Sequence, residues 1–402
     1  MPELHLLSPL GFRAAGVYAG IKSKQTPDVG LLLADSLAPA AAAFTTNQVV
    51  SAAVTVGRSH IKSGKLRGVV VNSGNANACT GKQGQKDAIR MCQLAANIAA
   101  CPPNHILPSS TGIIGHPLPM DKLERGIIEA GQYLGNSAEH AALFTDAIMT
   151  TDLKRKTAAT RFKVGKQSAI IAGVCKGSGM IGPRLAVPHA TMLAYLTTDV
   201  QIPIPILRKL LQQAADQSFN AVTVDDQTST NDTAALLASG LSDVRISTST
   251  AANSFAAALN EVCQSLAYQI AADGEGATKV VIITVDKASS ESAAKRIARS
   301  IANSPLVKCA MNGNDPNWGR ILCAAGQTPA PFDPYKSVLT LQGTTVFRKG
   351  APAPFDPAEV SKALNAPEVK VVLTLNLGRA SATCYTCDLS KAYVTINADY
   401  HT

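Results

Sequence analysis

The sequence predicts an α/β or α+β fold built on mixed sheets, and two observations carry that expectation. Strand-like and helix-like runs alternate along the whole chain. Hydrophobic residues make up 46% and charged residues 16% of 402 residues, a balance that supplies a large buried core and argues against disorder. A chain of this length is expected to form two domains or one large layered domain.

Taken in order, the apolar runs 31–33, 42–56 and 68–72 read as strands. Residues 83–100 carry Ala88, Met91, Cys92, Leu94, Ala95 and Ile98 at helical spacing, which predicts a helix. A second helix is expected over 121–134, with Asp121 as its N-cap. Residues 168–174 form an apolar β-prone run, expected to be a buried strand. Residues 176–189 hold three glycines and two prolines and break the chain near its midpoint. A strand resumes over 191–198. Helices are expected over 206–217, 254–272 and 290–303, and a strand over 279–285. The tail from 369 to 396 is mostly β-like.

The net charge is +9. Its basic residues are scattered, and one Trp offers no aromatic–basic pattern, so anionic metabolites fit better than nucleic acid. The opening MPELHLLSPLGF lacks the basic and apolar regions of a signal peptide, and no apolar run reaches membrane-spanning length. With nine dispersed cysteines, an odd number, the expectation is free thiols and a cytoplasmic protein. Cys384-Tyr-Thr-Cys387 has no second Cys or His pair near it, which favours packed side chains over zinc. No His-Glu-x-x-His is present.

Gly177-Ser-Gly179-Met-Ile-Gly182 satisfies the G-x-G-x-x-G pattern of a dinucleotide loop and follows a strand. Pro183 and Pro188 oppose the helix that such a loop must open, so nucleotide binding is the weaker reading. The same stretch can instead be a loop delivering Ala190-Thr191 to a strand start. A threonine hydroxyl can attack the preceding carbonyl and shift the acyl group from N to O, and hydrolysis of the resulting ester by water releases a chain that begins with Thr191. Its α-amine, titrating near roughly 8, then serves as base for its own hydroxyl. On the residues alone, an ordinary strand threonine is favoured, because β-branched residues suit strands anyway.

The motifs around this position change the balance. The segment from Lys176 through Gly182-Pro183, with Ala190-Thr191-Met-Leu-Ala after it, resembles the self-cleavage motif of the glutamate N-acetyltransferase (ornithine acetyltransferase) family. Gly11-Phe12, Gly16 and Ala19-Gly20-Ile21-Lys22 are similar to that family's opening. Asn72-Ser73-Gly74-Asn75-Ala76-Asn77, Ser109-Ser110-Thr111-Gly112-Ile113-Ile114-Gly115 and Thr150-Thr151-Asp152 follow in order. So do Thr228-Ser229-Thr230-Asn231-Asp232-Thr233, Gly274-Glu275-Gly276, Asp315-Pro316-Asn317-Trp318-Gly319-Arg320 and the tail Asn397 to Thr402. The turn-forming composition of 72–77 and 315–320 favours structural roles for those two segments.

The resemblance implies a layered αββα-type sandwich of mixed sheets with a smaller C-terminal portion, not a Rossmann fold. It implies autoproteolysis between Ala190 and Thr191 into chains 1–190 and 191–402 that co-fold and assemble as α2β2 or larger. It implies ping-pong transfer of acetyl from N-acetylornithine to glutamate without metal or organic cofactor, with acetyl-CoA as an additional donor in some relatives. Thr191 resembles the nucleophile, and Thr111 and Gly112 the oxyanion-hole pair. Thr150, Lys176, Glu275, Asn397 and Thr402 resemble the substrate-binding positions. Lys176 suits a carboxylate, Glu275 an amino group, and Asn397 and Thr402 the amino-acid backbone. An N-terminal-nucleophile aminopeptidase or amidase is the alternative within the same chemistry. Two departures stand out: residues 184–189 form a longer loop than the family pattern, and Val224-Asp225-Asp226-Gln227 replaces the expected Gly-Asp before Thr228.

Overall fold

The computed structural model describes residues 3–182 and 192–399. The first part of the chain runs β1 (Phe12–Val17), β2 (Val29–Phe44), α1 (Ala52–His60), β3 (Lys65–Asn75), α2 (Gly81–Ala99), β4 (Ile106–Ile113), α3 (Met120–Gln132) and α4 (Ala138–Ile148). Its middle part holds β5 (Lys156–Val164), β6 (Gln167–Lys176), β7 (Leu193–Thr198), α5 (Ile204–Gln217), β8 (Thr233–Ala238) and α6 (Ser249–Ala272).

These strands join in one eight-stranded mixed sheet of order β4-β3-β2-β8-β7-β6-β5, with β1 antiparallel to β2. The long β2 belongs to both arms. Its first half pairs with β1 and β3; after a register shift between Leu33 and Ala38 its second half pairs with β8. Leu32, Ala34, Val69 and Val71 of the first arm share one core with Leu193, Tyr195, Ala235 and Leu237 of the second. The arms therefore pack face to face. The outer face of the first arm is covered by α2 and α3, and that of the second by α5 and α6. This is the expected αββα layering. It explains why β7 and β8 are buried at every residue, since each is covered on both faces.

The smaller C-terminal portion follows: β9 (Val280–Ala288), α7 (Glu291–Asn303), α8 (Pro305–Asn312), α9 (Trp318–Gly326), β10 (Val338–Leu341), β11 (Thr344–Arg348), β12 (Ala351–Pro352), α10 (Pro357–Leu364), β13 (Glu368–Thr374), β14 (Ala380–Cys387) and α11 (Lys391–Asp399). Its six-stranded sheet has the order β12-β11-β10-β13-β9-β14, with β13 parallel to β9. A separate core forms between this sheet and the helices α7 to α10. No helix among the described residues is long and apolar enough to cross a membrane.

Three sequence expectations need correction. The strand expected over 42–56 ends at Phe44. Ser51 accepts a hydrogen bond from the Val54 amide and caps α1, so local capping and burial of Ala53 and Val54 override the β-branched pattern. Asp121 is not the N-cap of α3; Pro119 is, and Asp121 lies in the first turn, where its charge suits the helix dipole. The β-like tail ends at Cys387. Ser390 Oγ accepts from the Ala392 amide and donates to the Gly276 carbonyl, and α11 follows in spite of Val394, Thr395 and Ile396. The runs 31–33 and 42–44 are two parts of the single strand β2.

Candidate functional site

Strands β3 and β4 run parallel and end side by side in an irregular register. There Gly112 has a φ of +131°. A Cβ on it would lie 2.3 Å from the Gly74 carbonyl carbon, so only glycine permits the two backbones to meet. Asn231 Nδ2 donates to the Ser110 carbonyl at 2.8 Å and to the Ala76 carbonyl, tying this corner to the loop before β8. The asparagines of 72–77 are also committed to scaffolding. Asn72 Nδ2 donates to the Asn75 carbonyl, Asn75 Nδ2 to the His116 and Pro117 carbonyls, and Asn77 Nδ2 to the Gly84 carbonyl.

At the end of β6, Lys176 Nζ donates to Thr111 Oγ1 at 3.4 Å. The next residues, 177–182, are irregular backbone with no helix, contrary to what a dinucleotide loop requires. A Cβ on Gly179 would lie 2.4 Å from the Glu275 carboxyl, so this glycine makes room for Glu275. The amide of Glu275 donates to the Ser178 carbonyl at 3.1 Å. Asn397 Nδ2, on α11, donates to Glu275 Oε2 at 2.9 Å and to the Tyr393 carbonyl at 3.0 Å. Asp225, from the segment that departs from the family pattern, accepts from the amides of Met180 and Ile181, both at 2.8 Å. Burial pushes its carboxyl above the usual range, against the pull of these backbone donors. That segment therefore anchors the entry to 183–191.

The result is a cavity of about 130 Å³ that brings together Thr111, Gly112, Thr150, Lys176, Glu275 and Asn397. These are six of the positions singled out in the sequence, and they come from five distant segments. Met192 and Leu193 also line it. Met192 has a φ of +144°, a conformation that side chains other than glycine's rarely adopt. Ala190, Thr191 and Thr402 lie outside the described residues.

The sequence reading gave no role to the buried charges behind this cavity. Asp152 accepts from the Thr150 amide at 3.0 Å, the Gly177 amide at 2.7 Å and Lys156 Nζ at 2.6 Å. Burial works against its charge, but Lys176 and Lys156 outweigh that and hold its carboxyl down at about 2. Lys22 Nζ donates to the carbonyls of Asp146 and Met149 at 3.2 and 2.9 Å. Burial lowers the Lys22 amine to about 8, and the charge of Lys176 adds to that while Asp28, Asp146 and Asp152 oppose it. Asp152 closes the Thr150-Thr151-Asp152 motif, but its spacing of four from Lys156 would have read on a helix as a surface pair.

Asp315–Arg320 does not reach the cavity. Asn317 caps α9 by accepting from the Arg320 amide, and Arg320 Nη1 donates to the Leu306 carbonyl. Cys384 and Cys387 lie three apart in β14 and face opposite cores, so they cannot form one metal-ligand pair.

Comparison with known proteins gives a consistent result. The family model described as ArgJ family matches residues 13–402. The arginine biosynthesis bifunctional protein ArgJ of Bacillus cereus is 41% identical over 400 residues, covering 99% of this chain and 96% of that protein. The protein of the same name from Symbiobacterium thermophilum is 44% identical over 399 residues, covering 98% of each. A crystal structure of the Bacillus halodurans ArgJ protein is 38% identical and covers 46% of this chain and 95% of that chain, with a TM-score of 0.44.

Proposed function

This chain belongs to the ArgJ family, and from that premise we propose that it passes an acetyl group from N-acetylornithine to glutamate through an acetyl-Thr191 enzyme. As a member of that family it is an acyltransferase of arginine biosynthesis. The single observation that supports the finer reading is the convergence of Thr111, Gly112, Thr150, Lys176, Glu275 and Asn397 around one cavity that Met192 also lines. Met192 is the residue that follows Thr191 in the sequence.

In this reading the chain first cuts itself between Ala190 and Thr191. The freed α-amine then takes the proton of the Thr191 hydroxyl as its oxygen attacks the acetyl carbonyl of N-acetylornithine. The charge that develops on the carbonyl oxygen is met by donors at Thr111 and Gly112. The bond from carbonyl carbon to ornithine nitrogen breaks, and the α-amine returns the proton to that nitrogen. Glutamate's amine next attacks the ester carbonyl, and the Thr191 oxygen leaves with the proton. Lys176 pairs with a substrate carboxylate and Glu275 accepts from a substrate amino group. Asn397 and Thr402 bind the amino-acid backbone, and Asn397 also donates to Glu275. No metal or organic cofactor takes part.

The fragments 1–190 and 191–402 stay together in this reading. The sheet order supports it, because β7 and β8 of the second fragment lie between β2 and β6 of the first. Separation would break two ladders of backbone hydrogen bonds. Assembly as α2β2 or larger and a cytoplasmic location belong to the same proposal.

The test is a denaturing gel with N-terminal sequencing of each band, followed by product analysis. Two bands, one beginning at Thr191, and N-acetylglutamate formed only when glutamate is added are expected. One intact band that is inactive with N-acetylornithine overturns the reading. Release of free acetate without transfer to glutamate would make the protein a hydrolase instead. The same assay with acetyl-CoA as donor reports the second activity.

A further inference from the structure

We propose that Asp152 is the positioning residue of this cavity, its carboxylate locking Thr150 and the Lys176–Gly177 peptide where the charged ends of an amino-acid substrate meet them. The inference rests on the substrate-binding reading of Thr150, Lys176 and Glu275 given above.

The Asp152 side chain has no exposed surface, and that of Lys156 is 1% exposed. A carboxylate so buried costs several kcal/mol unless it is paired and hydrogen-bonded on all sides. Asp152 meets that condition with three donors from three places. Oδ1 takes Lys156 Nζ and the Gly177 amide, and Oδ2 takes the Thr150 amide. Two of these donors adjoin or belong to the residues proposed to hold substrate. Gly177 follows Lys176, and Thr150 is itself one of them.

The network continues to the third. Lys156 Nζ also donates to Asp273 Oδ2 at 2.5 Å, and Asp273 Oδ2 accepts from the Leu153 amide at 3.0 Å. The Asp273 carbonyl accepts from Ser178 Oγ at 2.6 Å, and the Ser178 carbonyl accepts from the Glu275 amide. The ends of β6 and α6 and the turn after α4 are thus fixed against one another by one buried ion group. From the far side Lys22 Nζ holds the Met149 carbonyl, one residue before Thr150. If bulk stability were the only role, apolar side chains of similar volume would serve as well or better. The distinctive feature is where the donors lead. Three of the paths end on backbone amides at or next to Thr150, Lys176 and Glu275, which line the cavity.

The experiment is Asp152→Asn in the full-length, self-processed protein, with the cut checked by gel and the fold by circular dichroism. Asn keeps the shape but removes the charge and turns an N–H towards one of the three donors. The expected result is a rise in KM for N-acetylornithine of about 10- to 100-fold with kcat within about threefold, the scale of a displaced binding group. A lower melting temperature with an unaltered KM, or a loss confined to kcat, overturns the proposal. Asp273→Asn leaves the three bonds of Asp152 in place but removes the outer charge that pairs with Lys156 and weakens the acceptor of the Leu153 amide. Its KM should rise by about 2- to 10-fold. Should Asp152→Asn not fold, Asp273→Asn decides, and an unaltered KM overturns the proposal. Wild-type protein that is never acetylated at Thr191 defeats the functional reading itself. Acetylated wild type together with a wild-type KM in Asp152→Asn defeats the positioning role alone.

Discussion

A groove between α5, α7 and β14 encloses about 950 Å³, whereas the cavity at the ends of β4 and β6 encloses about 130 Å³. The groove is also well supplied with charge. Glu291, Lys295 and Arg299 line it, but they stand four apart on α7 and form one polar stripe. Such a stripe is what an amphipathic helix produces on its solvent side without any selection for binding. Its groups interact locally: Lys295 pairs with Glu291 at 2.7 Å, and Arg299 lies 3.5 Å from Asp226. The polar lining of the small cavity includes residues 111, 150–151, 176, 229–232, 275 and 397, which no local periodicity could gather. Holding them together requires buried ion pairs and backbone contacts that only glycine allows. Convergence of chemistry from distant segments, more than volume, distinguishes a site from a surface hollow.

The contrast can be broken most severely at Thr191. Thr191→Ala should leave a single uncut chain and reduce acetyl transfer by at least about 10³-fold, because both the nucleophile and the amine that activates it are lost. A gel and a transfer assay check this together, and an active Thr191→Ala protein is incompatible with the mechanism. Next comes Gly112→Ala, which drives a methyl group to 2.3 Å from the Gly74 backbone. Activity per folded molecule should fall about 100-fold as the Thr111–Gly112 corner shifts. Lys176→Ala is expected to raise KM about 10- to 100-fold and to change kcat little, the loss of one charge-assisted hydrogen bond. Arg299→Ala sharpens the comparison from the other side. If the groove has no part in the reaction, kcat/KM per folded molecule should stay within about threefold, although removing the largely buried Arg299 can lower stability. A larger loss would give the groove a function.

Many of the individual elements were legible because their signals are periodic, whereas the αββα layering was expected from the family resemblance alone. Helices α2, α5, α6 and α7 follow their apolar spacing, and β6 follows its unbroken apolar run. Helices α1 and α11 were not legible, because Val54, Val56, Val394 and Ile396 carry β-branched side chains while the caps at Ser51 and Ser390 act on single amides. The motifs marked the site, but a motif does not say which of its side chains point inward. Asn72 and Asn75 turn out to hold backbone, whereas Thr150 and Lys176 line the cavity. The Asp152–Lys156–Asp273 group was invisible for a different reason. Asp and Lys are normally exposed, and its members span 121 positions, so neither composition nor spacing announces their burial.

The smallest expected effect concerns Lys22, which stands between the opening of the chain and the turn that carries Thr150. Burial lowers its folded-state amine to about 8 from an ordinary value of 10.5. In the unfolded chain the amine titrates near that ordinary value. Between these limits the unfolded state binds more protons than the folded one, so this residue's contribution to stability rises with pH. It is fully present above about 10.5 and is lost as pH falls through about 8. Other groups titrate in the same window in the opposite sense, since the buried cysteines and Tyr195 are pushed upwards. The measurement must therefore be a difference. Denaturant unfolding of wild type and of Lys22→Met, compared at pH 7.5, 9 and 10.5, should show the wild type gaining on the variant as pH rises. A difference that stays constant across the window would mean that the carbonyl bonds and the charges of Asp28, Asp146 and Asp152 fully offset the cost of burying the Lys22 ammonium.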